Sequence, residues 1–183
     1  MNQGKSLISA GSGTVFYLYV MKIRIARSGD LPTINDIYNQ AVRQRFCTAH
    51  LKPINMEERE LWFAYHDPGR YPVFVVENIQ KIAGWVSLGP YREDRQALTH
   101  VAEVSYYVDE RERGKGMGGR LLSHAVDVAP GFGFTVLIAI LLNKNPASIG
   151  LLEKFGFVSW GLMPGIALID DQEADHLYYG LKL

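Results

Sequence analysis

The chain has 183 residues, 48% of them apolar and 21% charged, which suits one domain with an ordinary core. Nineteen basic residues balance nineteen acidic ones, so no global basic field invites nucleic acid, although Arg111, Arg113, Lys115 and Arg120 form a local basic patch. A lone cysteine, Cys47, excludes an intramolecular disulfide framework and a cysteine-rich zinc site, and it fits a cytoplasmic protein.

Residues 1–20 carry one lysine, then small residues, then an apolar run over 14–21. The run is too short to span a bilayer, and no small-residue cleavage site follows it. Two readings stay open: a leader ahead of a second start at Met21, or a β extension of the first strand, because residues 15–25 are rich in strand formers. Residues 22–26 alternate and predict a strand. Asp30 is a candidate N-cap with Pro32 in the first turn. Leu31, Ile34, Ile37, Tyr38 and Ala41 then recur at helical spacing.

Residues 57–65 predict a shorter helix with Leu61 and Trp62 on its apolar side, ended by His66, Asp67, Pro68 and Gly69. Residues 73–76 predict a strand, Asn78 a turn, and residues 82–88 the partner strand, broken by Gly89 and Pro90. A polar loop over 91–98 leads to a strand at 101–108. A helix follows at 120–128, interrupted near Ala129 by Pro130 and Gly131. The wholly apolar residues 136–142 predict a buried central strand. Residues 145–155 predict a helix ended by Gly156, and residues 157–162 and 176–183 close the sheet. The order β-α-α-β-β-β-α-β-α-β-β specifies an α+β or α/β domain with one mixed sheet.

The most informative stretch is Arg113-Gly114-Lys115-Gly116-Met117-Gly118-Gly119, between a strand and a helix. A strand turning through glycines into a helix presents unpaired backbone N–H groups at the positive end of the helix dipole, a site for phosphate. The P-loop pattern is absent. The dinucleotide fingerprint is absent too, since the turn follows a late strand and no acidic residue ends a second strand about 20 positions on.

Arg113, Gly116 and Gly118, after a strand ending in Tyr107-Val108, resemble the acyl-coenzyme A turn of the GNAT acetyltransferase superfamily. Asn145-Pro146-Ala147-Ser148 and the run from Leu151 to Phe157 extend the likeness. Tyr38-Asn39-Gln40-Ala41-Val42, Glu57-Glu58-Arg59 with Trp62-Phe63, and Tyr71-Pro72-Val73 narrow it: from Met21 to Phe157 the chain is similar to the phosphinothricin and methionine sulfone or sulfoximine acetyltransferases. The resemblance implies a mostly antiparallel central sheet of about six or seven strands flanked by about four helices, in a single domain over 21–183.

It further implies that Tyr107, Val108, Arg113, Gly114, Lys115, Gly116, Met117, Gly118, Gly119, Asn145 and Ser148 bind acetyl-CoA, with Asn145 also a candidate N-cap. Glu103 matches the family's general base. A partly buried carboxylate suits that task, because an attacking amine must lose a proton; an exposed or ion-paired strand glutamate is the alternative. The Val108 N–H is the candidate oxyanion donor. Phe46, Thr48, Tyr91 and Arg92 are the candidate substrate contacts, Arg92 through a bidentate grip on an acidic group.

Two departures stand out. Leu152 replaces the family's tyrosine or histidine that protonates the leaving thiolate, so the thiolate leaves unassisted or Tyr106 or Tyr107 serves instead. An acidic tail loop over 166–175 replaces a basic, aromatic one. The implied function is transfer of an acetyl group from acetyl-CoA to a small amino-acid-like amine by direct attack, in a cytoplasmic homodimer with no metal, nucleic acid or membrane partner. A non-catalytic acyl-CoA-binding module, and an acetyltransferase for protein N-termini or ribosomal proteins, are the alternatives.

Overall fold

The computed structural model describes residues 5–10, 14–19, 21–78 and 81–183. Of the leader segment, residues 1–4, 11–13 and 20 therefore lie outside the described residues, as do residues 79 and 80 of the turn expected after Asn78. Strands β1 (Lys5–Ala10) and β2 (Thr14–Tyr19) pair antiparallel as a two-stranded sheet of their own.

The remaining elements follow the order read from the sequence: β3 (Lys22–Ile25), α1 (Leu31–Gln44), α2 (Met56–Ala64), β4 (Val73–Asn78), β5 (Lys81–Pro90), β6 (Val101–Val108), α3 (Met117–Val128), β7 (Val136–Leu142), α4 (Pro146–Lys154), β8 (Val158–Ile169) and β9 (Gln172–Lys182). Seven strands form one sheet in the order β3-β4-β5-β6-β7-β9-β8. All neighbours are antiparallel except β6 and β7.

Helices cover both faces of this sheet. Leu31, Ile34, Ile37, Tyr38 and Val42 of α1 pack on Val73, Val75 and Trp85, with Trp62 and Phe63 of α2 at the margin. On the other face Met117, Leu121, Leu122 and Ala125 of α3 and Leu152 of α4 pack on Phe74, Val76, Val86, Leu88, Ala102, Val104 and Leu137. Coverage on both sides explains why β4 and the middle of β5 are buried at consecutive positions instead of alternate ones.

Local chemistry departs from the sequence expectation at four places. Asp30 stands at the N-cap of α1 without capping it. Its carboxylate accepts from Arg24 Nη1 at 2.6 Å and Nη2 at 2.9 Å, and from the Arg27 N–H at 2.7 Å. A bidentate charged partner outcompetes a neutral helix amide. Leu61 is 58% exposed, and α2 instead buries Arg59 to 2%. Gly89 and Pro90 do not break β5; they pair with Glu103 and Ala102 as its last two residues. The acidic tail is not a loop: β8 runs on to Ile169 and turns at Asp170 and Asp171, both at positive φ, into β9. Two of its acids are held internally, Asp170 by Arg45 Nε at 2.8 Å and Asp175 by the Gly165 N–H at 2.9 Å and Asn143 Nδ2 at 2.8 Å.

Gly84 sets how closely β5 approaches the end of β6. A Cβ there would lie 2.7 Å from the Tyr107 carbonyl oxygen and 3.0 Å from a Leu121 methyl. Gly84→Ala should therefore lower stability by about 1–3 kcal/mol, read as an earlier chemical-denaturation midpoint with an unchanged slope.

Candidate active site

The parallel pair β6 and β7 keeps register at only three positions: Val101 with Val136, Ala102 with Leu137 and Glu103 with Ile138. Beyond Glu103 the strands part, and two clefts open on the separated end of β6. Strand periodicity sends Glu103, Ser105 and Tyr107 to one face and Ala102, Val104, Tyr106 and Val108 to the other. The second set joins the core under α3 and α4. The first lines a cavity of about 540 Å³ with Tyr38, Cys47, Thr48, His50, Arg59 and Trp85 among its walls.

Glu103 is half-buried in this wall. It faces Gly89 across the β5–β6 ladder, so no side chain on that residue covers it. Burial pushes its carboxyl above the ordinary range, and no opposite charge offsets the effect. Tyr107 lies on the same face, edge-on to Tyr38 at 4.9 Å between ring centroids. Burial also pushes its phenol well above the usual value, so the hydroxyl proton is retained at neutral pH.

The second cleft, about 450 Å³, is lined by Tyr106, Tyr107, Val108, Arg113, Gly114, Gly116, Met117, Gly118, Gly119, Asn145 and Ser148, together with Gln44 and Leu151. Cys47 and Tyr107 line both clefts and mark their junction. Gly114 and Gly116 have φ of 73° and 81°, a region costly for other residues, and a Cβ on either would meet nothing within 4 Å. The turn thus faces open space. Among the described residues, the first main-chain N–H of the turn and α3 that reaches a protein acceptor is Arg120, bonded to the Gly116 carbonyl at 3.1 Å. Among the described residues, no main-chain N–H from Met117 to Gly119 is bonded to a protein acceptor, and these three open a twelve-residue helix whose positive end faces the cleft.

Helix α1 fixes this turn. Gln40 Oε1 accepts from the Glu110 N–H at 2.9 Å, and Gln44 accepts from Arg113 Nη1. Arg113 Nε also donates to the Val108 carbonyl at 3.3 Å, so this side chain braces the loop. Lys115 pairs with Glu112 at 3.3 Å and is absent from the cleft wall. The Asp109 N–H bonds to Ala83 on β5 at 2.9 Å. Alternation along the strand therefore turns the Val108 N–H to the other side, into the gap left by β7. Asn145 caps α4 by accepting from the Ser148 N–H at 3.2 Å.

The four expected substrate contacts separate. Thr48 lines the Glu103 cavity, with Oγ1 2.8 Å from the Tyr38 hydroxyl, which also bonds to His50 Nδ1. Phe46 packs instead with Leu142, Ile169 and Ala174 beneath Lys144 Nζ, 4.6 Å from its ring centroid. Tyr91 and Arg92 lie outside the Glu103 cavity, in a surface cleft with Tyr71 and Gln96, the guanidinium 5.6 Å from the Tyr91 ring centroid. Leu152 is buried in the core and faces neither cleft. Burial raises the Cys47 thiol above its ordinary value, which keeps it protonated and a poor nucleophile.

A sequence model described as the Acetyltransferase (GNAT) family matches residues 35–157. The chain belongs to the GNAT acetyltransferase family. YwnH of Bacillus subtilis (strain 168), provisionally named a phosphinothricin acetyltransferase, is 39% identical over 164 residues, covering 89% of this chain and 99% of that protein. An L-methionine sulfoximine/L-methionine sulfone acetyltransferase of Pseudomonas aeruginosa is 34% identical over 145 residues, 79% of this chain and 84% of that one. The solved structure of a GNAT superfamily phosphinothricin acetyltransferase from Sinorhizobium meliloti, in complex with acetyl-CoA, superposes with a TM-score of 0.84 at 29% identity, over 89% of this chain and 88% of that chain.

The loop carrying Thr48 and His50 lines the cavity as its place after the first helix suggests; sequence reasoning missed Tyr38 and Arg59 in the wall, and the bond between Tyr38 and His50. Arg59 was legible in one respect. It stands three residues before Trp62 on α2, the spacing of one helical face.

The buried carboxylate has a cost that its neutral analogue avoids. A carboxyl whose folded-state pKa is raised destabilises the fold once ionised, so stability falls as pH rises through that raised value. Glu103→Gln should melt above the wild type at neutral pH, and the difference should vanish in acid where Glu103 is protonated. Thermal denaturation across pH checks both the sign and the disappearance.

Proposed function

We propose that this GNAT acetyltransferase moves an acetyl group from acetyl-CoA to the amine of a small amino-acid-like acceptor, of the phosphinothricin or methionine sulfone class, with Glu103 as general base. The observation that carries the reading is the placement of Glu103, uncompensated by charge, in a cavity that meets the amide-lined cleft at Tyr107. The names of the relatives support the acceptor class.

The free amides of Gly114, Gly116, Met117, Gly118 and Gly119 fit the diphosphate of the cofactor, and Asn145 and Ser148 at the head of α4 fit its pantetheine arm. When bound, acetyl-CoA supplies the thioester carbonyl that the amine attacks. Glu103 takes the proton from the attacking amine, directly or through one water. The Val108 N–H, directed into the gap beside β7, would donate to the oxygen that gains negative charge. Tyr107 keeps its hydroxyl proton beside the junction of the clefts and can donate a hydrogen bond to the departing sulfur, which leaves as the thiolate because a thiol is already a modest acid. Protonated Cys47 forms no covalent intermediate.

The reading includes a homodimer in the cytoplasm, where a single free thiol is stable. Among the described residues no helix is long and apolar enough to cross a membrane. Strand β8 ends the sheet and leaves Val158, Trp160, Leu162, Met163, Ile166 and Leu168 between 42% and 60% exposed. An apolar edge strand of this length calls for a covering partner, and a second copy of the chain supplies one. Leu162→Glu combined with Leu168→Glu should convert the dimer to monomer in sedimentation velocity.

Thiol release from acetyl-CoA, screened over amino acids including methionine sulfone, methionine sulfoximine and phosphinothricin, tests the function. Glu103→Gln should reduce kcat by about 10²–10⁴-fold. The wild-type rate should rise with pH along a limb above the ordinary carboxylate range, and the variant should lack that limb. Cofactor binding with no acetylated amino acid would instead favour the non-catalytic reading.

A further inference from the structure

Arg59 is a buried charge that the reaction described above does not use. It is 2% exposed. Its guanidinium carbon stands 4.5 Å from the Trp62 ring centroid, 4.7 Å from Tyr38 and 5.6 Å from Trp85. Nε donates to Asn35 Oδ1 at 3.3 Å, and Nη2 is buried with no hydrogen-bond partner. Among the described residues no carboxylate forms an ion pair with it.

Burial lowers Arg59 to about 10, so it stays charged at neutral pH. Three aromatic faces offset part of the desolvation. They accept no hydrogen bond in the plane of the fork, so the Nη2 donors stay unanswered. A buried cation without an anion is costly, and its natural complement is a carboxylate.

The same cavity holds the opposite case. Arg59 and Glu103 both line it, and among the described residues neither forms an ion pair. Tyr107 lines the same cavity. The cavity thus has one desolvated anion and one desolvated cation that do not neutralise each other. A ligand carrying both charges answers both.

We propose that Arg59 anchors the carboxylate of the acceptor, so that Arg59 and Glu103 together select a zwitterionic amino acid, carboxylate on Arg59 and amine on Glu103. This rests on the acetyltransferase reading above and deepens it by assigning the acid-recognising residue to α2 instead of the 91–98 loop. An amine without the acid leaves the guanidinium unpaired and is rejected for that reason.

The test compares methionine sulfone, whose only anionic group is its carboxylate, with its α-carboxamide, in wild type, Arg59→Met and Arg59→Lys. Wild type should prefer the acid by about 100-fold or more in kcat/KM, as expected for a buried charge pair. Arg59→Met should reduce that preference to within a few-fold. The loss should lie in the acceptor KM, with the KM for acetyl-CoA unchanged. Removing an unpaired buried charge should not lower the melting temperature. Should Arg59→Met nevertheless fail to fold, Arg59→Lys keeps the charge without the fork and should lose at least about tenfold of the preference.

Equal turnover of acid and amide by wild type overturns the proposal. So does a preference that survives in both variants, and that result leaves the amino-acid acetyltransferase reading standing. Wild type that acetylates neither compound nor any amino acid of the screen overturns both.

Discussion

The site depends on the failure of two parallel strands to stay together. β6 and β7 share three register positions and then separate. A parallel ladder carried further would tie the main chain of Tyr107 and Val108 to β7 and close the space between them. The separation has identifiable neighbours. β7 is held along its whole length by β9, from Val136 opposite Lys182 to Leu142 opposite His176. β6 is held along its length by β5, down to Gly84 opposite Val108. Each strand follows its antiparallel partner, and the seam opens where the two commitments diverge. One gap then exposes a backbone donor, a carboxylate on one face and the glycine turn at the strand's end.

The electrostatics follow from where that seam lies. Its helix-dipole end offers free amides to a polyanion. Its interior offers single charges removed from water, Glu103 and Arg59, whose pKa values burial moves in opposite directions. Groups of this kind are expensive in a folded protein and cluster where chemistry or recognition needs them. The core around them is conventional, with aliphatic packing of α3 on one face and of α1 on the other.

Much of this was legible in the sequence, for reasons that differ by element. The apolar run of β7 and the 3.6-residue repeat of α1 identify themselves because each is long and buried against a sheet. The glycine turn is legible because few functions require glycines between a strand and a helix. Glu103 is legible from its place on the strand before that turn. The orientation of α2 was not, because its nine residues carry little amphipathic signal and its buried face is chosen by aromatic packing on a guanidinium, not by hydropathy. The position of Arg92 was not, because the path of an irregular loop is set by tertiary contacts that no periodicity records. The tail failed similarly. Its acids and its Pro164-Gly165 pair resemble a loop, whereas the irregular register between Met163 and Ala167 absorbs them within one long hairpin.

Helix α1 touches both halves of the seam. Its Tyr38 forms part of the wall around Glu103, and two residues later Gln40 grips the chain leading into the glycine turn. Those contacts lie within one turn of a single rigid rod. A tilt of that rod displaces both walls together. The spacing between nucleophile and acyl donor is thereby governed as a lever governs its two arms, so drift at one arm must be matched at the other for the pair to stay aligned.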